Sequence, residues 1–154
     1  MSVIIQGEQV RAITQGVLVS KATATLPQTT DGALFTITGG RILLLGLVGE
    51  VTTVIQTQAN NTKLKFNPTA TGADQDICAV LDISADAVGE LYTISGTVGD
   101  AMRSDLLVGN PMLTNPLVLA EGSIELDCAA SNTGSVSWDI IYVPLDTGAS
   151  VAAA

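Results

Sequence analysis

Histidine is absent from this 154-residue sequence, only 14% of its residues are charged, aromatics make up 3%, and there are two cysteines. Without histidine the commonest general base at neutral pH is gone, and with it Ser-His and Cys-His nucleophilic pairs and the usual zinc ligands. No glycine-rich phosphate loop and no Gly-x-Ser-x-Gly elbow is present. Six basic residues against fifteen acidic ones leave a net charge of -9. Phosphate binding depends on clustered cations, so a nucleic-acid partner and an anionic membrane surface are both disfavoured. No small-molecule substrate or cofactor is indicated, and the expectation is a protein that is not an enzyme.

Cys78 and Cys128 are too few for a disulfide framework and too far apart for a metal knuckle. They are either two buried thiols or one bridge. The N-terminal stretch has apolar runs too short for a signal peptide, so synthesis in a cytoplasm is expected. Carboxylates are the remaining chemical material. Asp74, Asp76, Asp82 and Asp86 match no calcium loop and read as solvated, so no metal site is expected. Asn60-Asn61-Thr62 is formally a glycosylation sequon of the kind that arises by chance.

What is abundant is apolar and small: 47% of the residues are hydrophobic and 15 are glycine. With so little charge, the surface must be Thr, Ser, Gly, Ala and Asn, or be covered by another chain. The longest apolar run, in GGRILLLGLVGEVTTVIQTQ (39–58), stops at Gly49 and Glu50, far short of the roughly 20 residues a membrane span needs. Its glycines and β-branched residues favour two strands, or one strand bent at the glycines. Alternation then predicts a hairpin over 50–67 and a second one, in which Ile124, Leu126 and Cys128 return through a turn at 130–134 to Val136, Trp138, Ile140 and Tyr142. The two share a leading Gly, a strand, a small residue, Asn-Thr and a returning strand, a pattern that distant copies and convergent turn chemistry explain equally. By parity Ile141 and Val143 fall on the outward face, where they meet a second layer or a neighbouring subunit.

Further strands are expected at 16–26, 33–38, 90–95 and 116–120. A strand is expected through Ile83 and a helical turn near Ala85. Residues 109–116 read as an extended loop. The spacing predicts an all-β, single-domain, β-sandwich or jelly-roll-like protein with extended terminal arms: an N-terminal arm at 1–15, the sandwich at 16–143 and a tail at 144–154 without bulky groups after Leu145. The aromatics Phe35, Phe66, Tyr92, Trp138 and Tyr142 mostly take inward positions, leaving little for a sugar to stack on.

GGRILLLGLVGEVTTVIQTQANNTKLKFNPT, DICAVLDI and GSVSWDIIYVPLDTGASV, in this order across about residues 35–151, resemble small virion proteins of tailed bacteriophages, in particular capsid cement or decoration proteins. The resemblance implies a β-rich structural protein, often a homotrimer, on the outer capsid surface of the virion, bridging copies of the major capsid protein. Val3, Ile4 and Ile5 in the N-terminal arm, and Ile141, Val143, Pro144 and Leu145 near the C-terminus, are the expected contacts with capsid or sister subunits. A tail, neck or fibre component and a carbohydrate-binding module are the alternatives.

Overall fold

The computed structural model describes residues 6–154. Val3, Ile4 and Ile5 lie outside the described residues. Among the described residues, twelve strands follow one helix: α1 (Gly7–Gln15), β1 (Val17–Thr25), β2 (Asp31–Thr38), β3 (Ile42–Thr53), β4 (Asn61–Pro68), β5 (Gln75–Asp76), β6 (Leu81–Asp82), β7 (Glu90–Thr93), β8 (Arg103–Leu106), β9 (Met112–Leu119), β10 (Gly122–Cys128), β11 (Ser135–Pro144) and β12 (Ser150–Ala153). They form two antiparallel sheets. The front sheet runs β1-β11-β3-β7-β8 with β9 also paired to β3; the back sheet runs β12-β2-β10-β4-β5 with β6 also paired to β4. This is the expected all-β sandwich.

The apolar run is one strand. β3 pairs with β11 from Ile42↔Pro144 to Thr53↔Ser135, and the register shifts where Ile141 faces Gly46 but Tyr142 faces Leu44. The extra residue, Leu45, is a β-bulge that resets the alternation. Leu44 points inward before it, and Leu47 and Val51 point inward after it. Two glycines allow close approach. A Cβ on Gly46 would lie 2.5 Å from the Pro111 carbonyl oxygen, and one on Gly49 would lie 2.8 Å from the Trp138 ring. Gly49 is flanked in register by Trp138 and Tyr92, whose rings stack with centroids 6.3 Å apart.

Neither expected hairpin forms. β3 and β4 belong to opposite sheets, as do β10 and β11, so the loops at 54–60 and 129–134 are arches that cross the sandwich. Alternation marks a strand and a turn but not which strand becomes its partner. The pairs interlock: β3 lies beside β11, and β4 beside β10. Two fully buried asparagines join the arches reciprocally. The Asn60 amide donates to the Ala130 carbonyl (3.2 Å) and its Oδ1 accepts from the Ala130 N–H (3.0 Å). The Asn132 amide donates to the carbonyls of Gln58 (2.7 Å) and Gln56 (3.3 Å).

The ends also depart from expectation. Residues 7–15 are helical rather than extended: the Gln6 N–H donates to Gln9 Oε1 (2.9 Å), Glu8 lies in the first turn, and Gly16 at φ +92° ends the helix. Ser150–Ala153 is a strand paired with β2 rather than a loose tail, with Val151 opposite Ile37 and buried. Small residues suit this edge, because their backbone supplies the pairing. The helical turn at Ala85 is absent. Ala85 takes φ +62° and donates its N–H to the Gln56 carbonyl (3.2 Å), bracing the first arch. The strand expected at 116–120 begins earlier, at Met112, inside the expected loop.

Replacing Asn60 by Ala strips both backbone groups of Ala130 of a buried partner and is expected to cost about 1–3 kcal/mol. Exposed Asn61→Ala should stay within about 0.5 kcal/mol. Urea unfolding followed by Trp138 fluorescence measures both.

Candidate functional site

The two outer faces of the sandwich differ in chemistry. On the back sheet, β10 turns Ser123, Glu125 and Asp127 outward against Asn67, Lys65 and Lys63 of β4. Lys65 reaches Asp127 (3.0 Å) and Asp31 (3.3 Å), Lys63 reaches Asp76 (2.8 Å), and the Asn67 amide donates to Glu125 (3.2 Å). This face is polar and internally paired, as a solvated sheet face should be.

The front sheet is apolar over one half of its outer face. Leu18 of β1 pairs with Ile141 of β11, which pairs with Gly46 beside Leu45, and Gly46 pairs with Met112 of β9. The adjacent row is Val143, Leu43 and Val118. Leu18 is 61% exposed and Val118 58%, while Leu43, Leu45, Ile141 and Val143 are half-buried. Helix α1 stands beside this surface. Glu8, Arg11, Ala12 and Gln15 form one wall of a groove of about 370 Å³ whose other wall is Leu18 and Ile141. Val10 and Ile13 of the helix remain exposed, and none of its residues is buried. Single exposed aliphatics are ordinary, but two registered rows of them are not.

Thus Ile141 and Val143 do point outward. Pro144 is exposed at the last position of β11, and Leu145, also exposed, donates its N–H to the Arg41 carbonyl (2.9 Å).

The carboxylates are dispersed among separate partners. Asp82 accepts from the N–H groups of Asn60 and Ser84, which hold it below the usual carboxylate range. Asp86 accepts from the Tyr92 hydroxyl (2.6 Å), yet desolvation pushes it upward. Asp31, Asp74 and Glu125 bring oxygens within 4.8 Å of one another, but Asp31 is engaged by Lys65 and Glu125 by Asn67. Cys78 and Cys128 are free and buried, and desolvation raises both thiols. Asn60 of the sequon is fully buried, closed to modification in the folded chain. All five aromatics are buried.

No protein-family model, curated protein or solved structure matches this chain.

Leu18, Leu43, Leu45, Met112 and Val118 escaped sequence reasoning. The signal for two of them was present: a strand whose consecutive residues are all leucine has apolar side chains on both faces. Met112 and Val118 join the surface only through the pairing of β9 with β3.

Arg41 fastens the turn between β11 and β12. Its guanidinium meets Asp146 (2.8 and 2.9 Å) and its N–H donates to the same carboxylate (2.8 Å). These bonds hold Asp146 well below the usual carboxylate range. A depressed folded value adds stability above the unfolded pKa of about 3.9 and loses it as pH falls toward the folded value. Comparing urea midpoints at neutral and acid pH, the wild type should lose more on acidification than Asp146→Asn. Equal losses would contradict this role.

Proposed function

We propose that the chain is a non-enzymatic structural protein of a tailed-phage virion, a cement or decoration protein that acts as a trimer. It lays the apolar outer face of its front sheet against the major capsid protein on the outer capsid surface and turns the charged face of its back sheet to water. The observation that carries this reading is the contrast between those faces: registered aliphatic rows on one side, internally paired charges on the other. Permanent interfaces lose charge at their centre and gain aliphatic area, whereas a solvated sheet face keeps its charges.

Three further features support the reading. The phrases quoted above resemble cement proteins across most of the chain. A net charge of -9 is repelled by packaged DNA and suits an outer location. Each aromatic ring is buried, which leaves none on the surface for sugar stacking and weighs against a carbohydrate-binding module.

The mechanism needs no catalytic step. A protein that binds the assembled shell and not its separated subunits stabilises the shell by RT ln(1 + [L]/Kd) at every site, about 2.7 kcal/mol at a hundredfold excess over Kd. Many equivalent sites multiply that effect.

Leu18→Asp and Val118→Asp change exposed positions and should leave folding within about 0.5 kcal/mol of wild type. Each is expected to weaken binding to expanded phage heads at least about tenfold, as loss of a central interface residue does. Lys63→Ala, on the back sheet, should bind as wild type does. Cosedimentation with heads reads all three, and full binding by the Asp variants would refute the proposed face. Copy number separates head from tail: occupancy of the shell's repeated symmetry sites fits cement, and a single ring at one vertex fits a tail or neck component.

A further inference from the structure

Among the described residues, the apolar face of the front sheet carries one sulfur. Met112 of β9 pairs with Gly46 of β3, and a Cβ on that glycine would lie 3.4 Å from the Met112 sulfur. The thioether thus borders the space that the missing side chain leaves, in the row that Ile141 and Leu18 continue across β11 and β1. Met112 is 41% exposed. Its backbone is anchored: the Met112 N–H donates to Asn110 Oδ1 (3.2 Å), and the Pro111 carbonyl before it accepts from the Leu47 N–H (3.0 Å).

The other oxidisable side chains among the described residues are shielded. Met102 and both thiols, Cys78 and Cys128, are 1% exposed, and Trp138 is 2% exposed. Burial also raises both thiols, which disfavours the thiolate through which cysteine reacts. An oxidant in solution is thereby directed to one position. That position lies within the aliphatic rows.

We propose, building on the capsid-binding face proposed above, that Met112 is a selective oxidation site whose sulfoxide blocks attachment of the free chain to the shell. The oxidant class is a peroxide. A sulfur lone pair attacks one oxygen of hydrogen peroxide, the O–O bond breaks and an S–O bond forms. The departing hydroxide takes the proton of the transferred hydroxyl and leaves as water, so sulfur gives up two electrons and the peroxide accepts them. A flexible apolar thioether becomes a polar, chiral sulfoxide. In the free chain water hydrates the new oxygen, and the fold is kept. Beneath a partner the same oxygen lies in rows whose other side chains, Leu18, Ile141, Leu43, Val143 and Val118, offer no hydrogen-bond donor, and burying an unpartnered polar group opposes association. Seating covers the sulfur and shuts out the oxidant, so attached copies are spared and unattached ones are withdrawn. The change is reversible: methionine sulfoxide reductases return the thioether, the oxygen leaving as water while two thiols become a disulfide.

The full chain is treated with hydrogen peroxide, freed of oxidant, mapped by peptide mass and cosedimented with expanded phage heads. Met112 should gain one oxygen well before Met102, and circular dichroism should match that of the untreated chain. Binding should fall at least about tenfold, the order expected for one unsatisfied buried polar group. Methionine sulfoxide reductases of both stereospecificities, supplied with a thiol reductant, should restore it. Met112→Leu, compared with its own untreated sample, should lose nothing on peroxide treatment, and chains exposed to peroxide after seating on heads should keep Met112 unmodified. Oxidation of Met102 as fast as Met112, full binding by chains whose Met112 is fully oxidised, or an equal loss in Met112→Leu would overturn the proposal. Failure of the untreated wild type to bind heads is a different result: it refutes the capsid reading and the switch together, while peptide mass still reads which methionine reacts.

Discussion

The reciprocal lock between the two arches is the constraint on which the rest of the structure depends. β3 leaves the front sheet for β4 in the back sheet, and β10 makes the opposite crossing. The four strands can pair as β3 with β11 and β4 with β10 only if the crossings lie side by side at one end of the sandwich. Each arch must then bury backbone groups that no ladder satisfies. Asn60 and Asn132 answer that need, each serving the backbone of the other arch. Gln28 adds a third tie, its amide donating to the carbonyls of Leu26 and Asn132 at 3.0 Å each. The hydrogen bonds there set the spacing between the sheets, and the aliphatic core fills it.

Fixing β3 at the centre of the front sheet determines what the outer face becomes. A strand buried on one side needs only alternate apolar residues, yet β3 carries Leu43 and Leu45 on its outer side as well as Leu44 and Leu47 on its inner side. The Leu45 bulge places two consecutive residues, Leu45 and Gly46, on the same outer side. The absent side chain at Gly46 lets the Pro111–Met112 segment close down over the strand. Apolar side chains from β1, β11, β3 and β9 therefore gather on one surface, while charge gathers on the back sheet, where β4 and β10 alternate strictly.

The strands were legible and their partners were not. Val136, Trp138, Ile140 and Tyr142 announced a half-buried strand by parity, and the same parity placed Ile141 and Val143 outside. The arches were misread because Asn-Thr phrases serve tight turns and arches alike, and burial of Asn60 and Asn132 is a tertiary property. The end of the chain was misread for a related reason: Ser150–Ala153 has no bulky core residue to give it periodicity, yet an edge strand needs only a backbone and one inward residue, Val151. Helix α1 lacked a buried face altogether, since Val10 and Ile13 stay exposed. The candidate surface was half legible, in residues of β3 and β11, whereas Leu18, Met112 and Val118 join it through pairings that only the folded sheet defines.

The proposed role requires that one outer face of the sandwich be covered and the other stay wet. Covalent footprinting of the protein on intact particles and free in solution tests it most directly. Leu18, Leu43, Met112 and Val118 are expected to be protected in the particle, with Lys63, Lys65 and Ser123 labelled equally in both states. Protection confined to the Lys63 and Lys65 face, or equal labelling of both faces in both states, would contradict it.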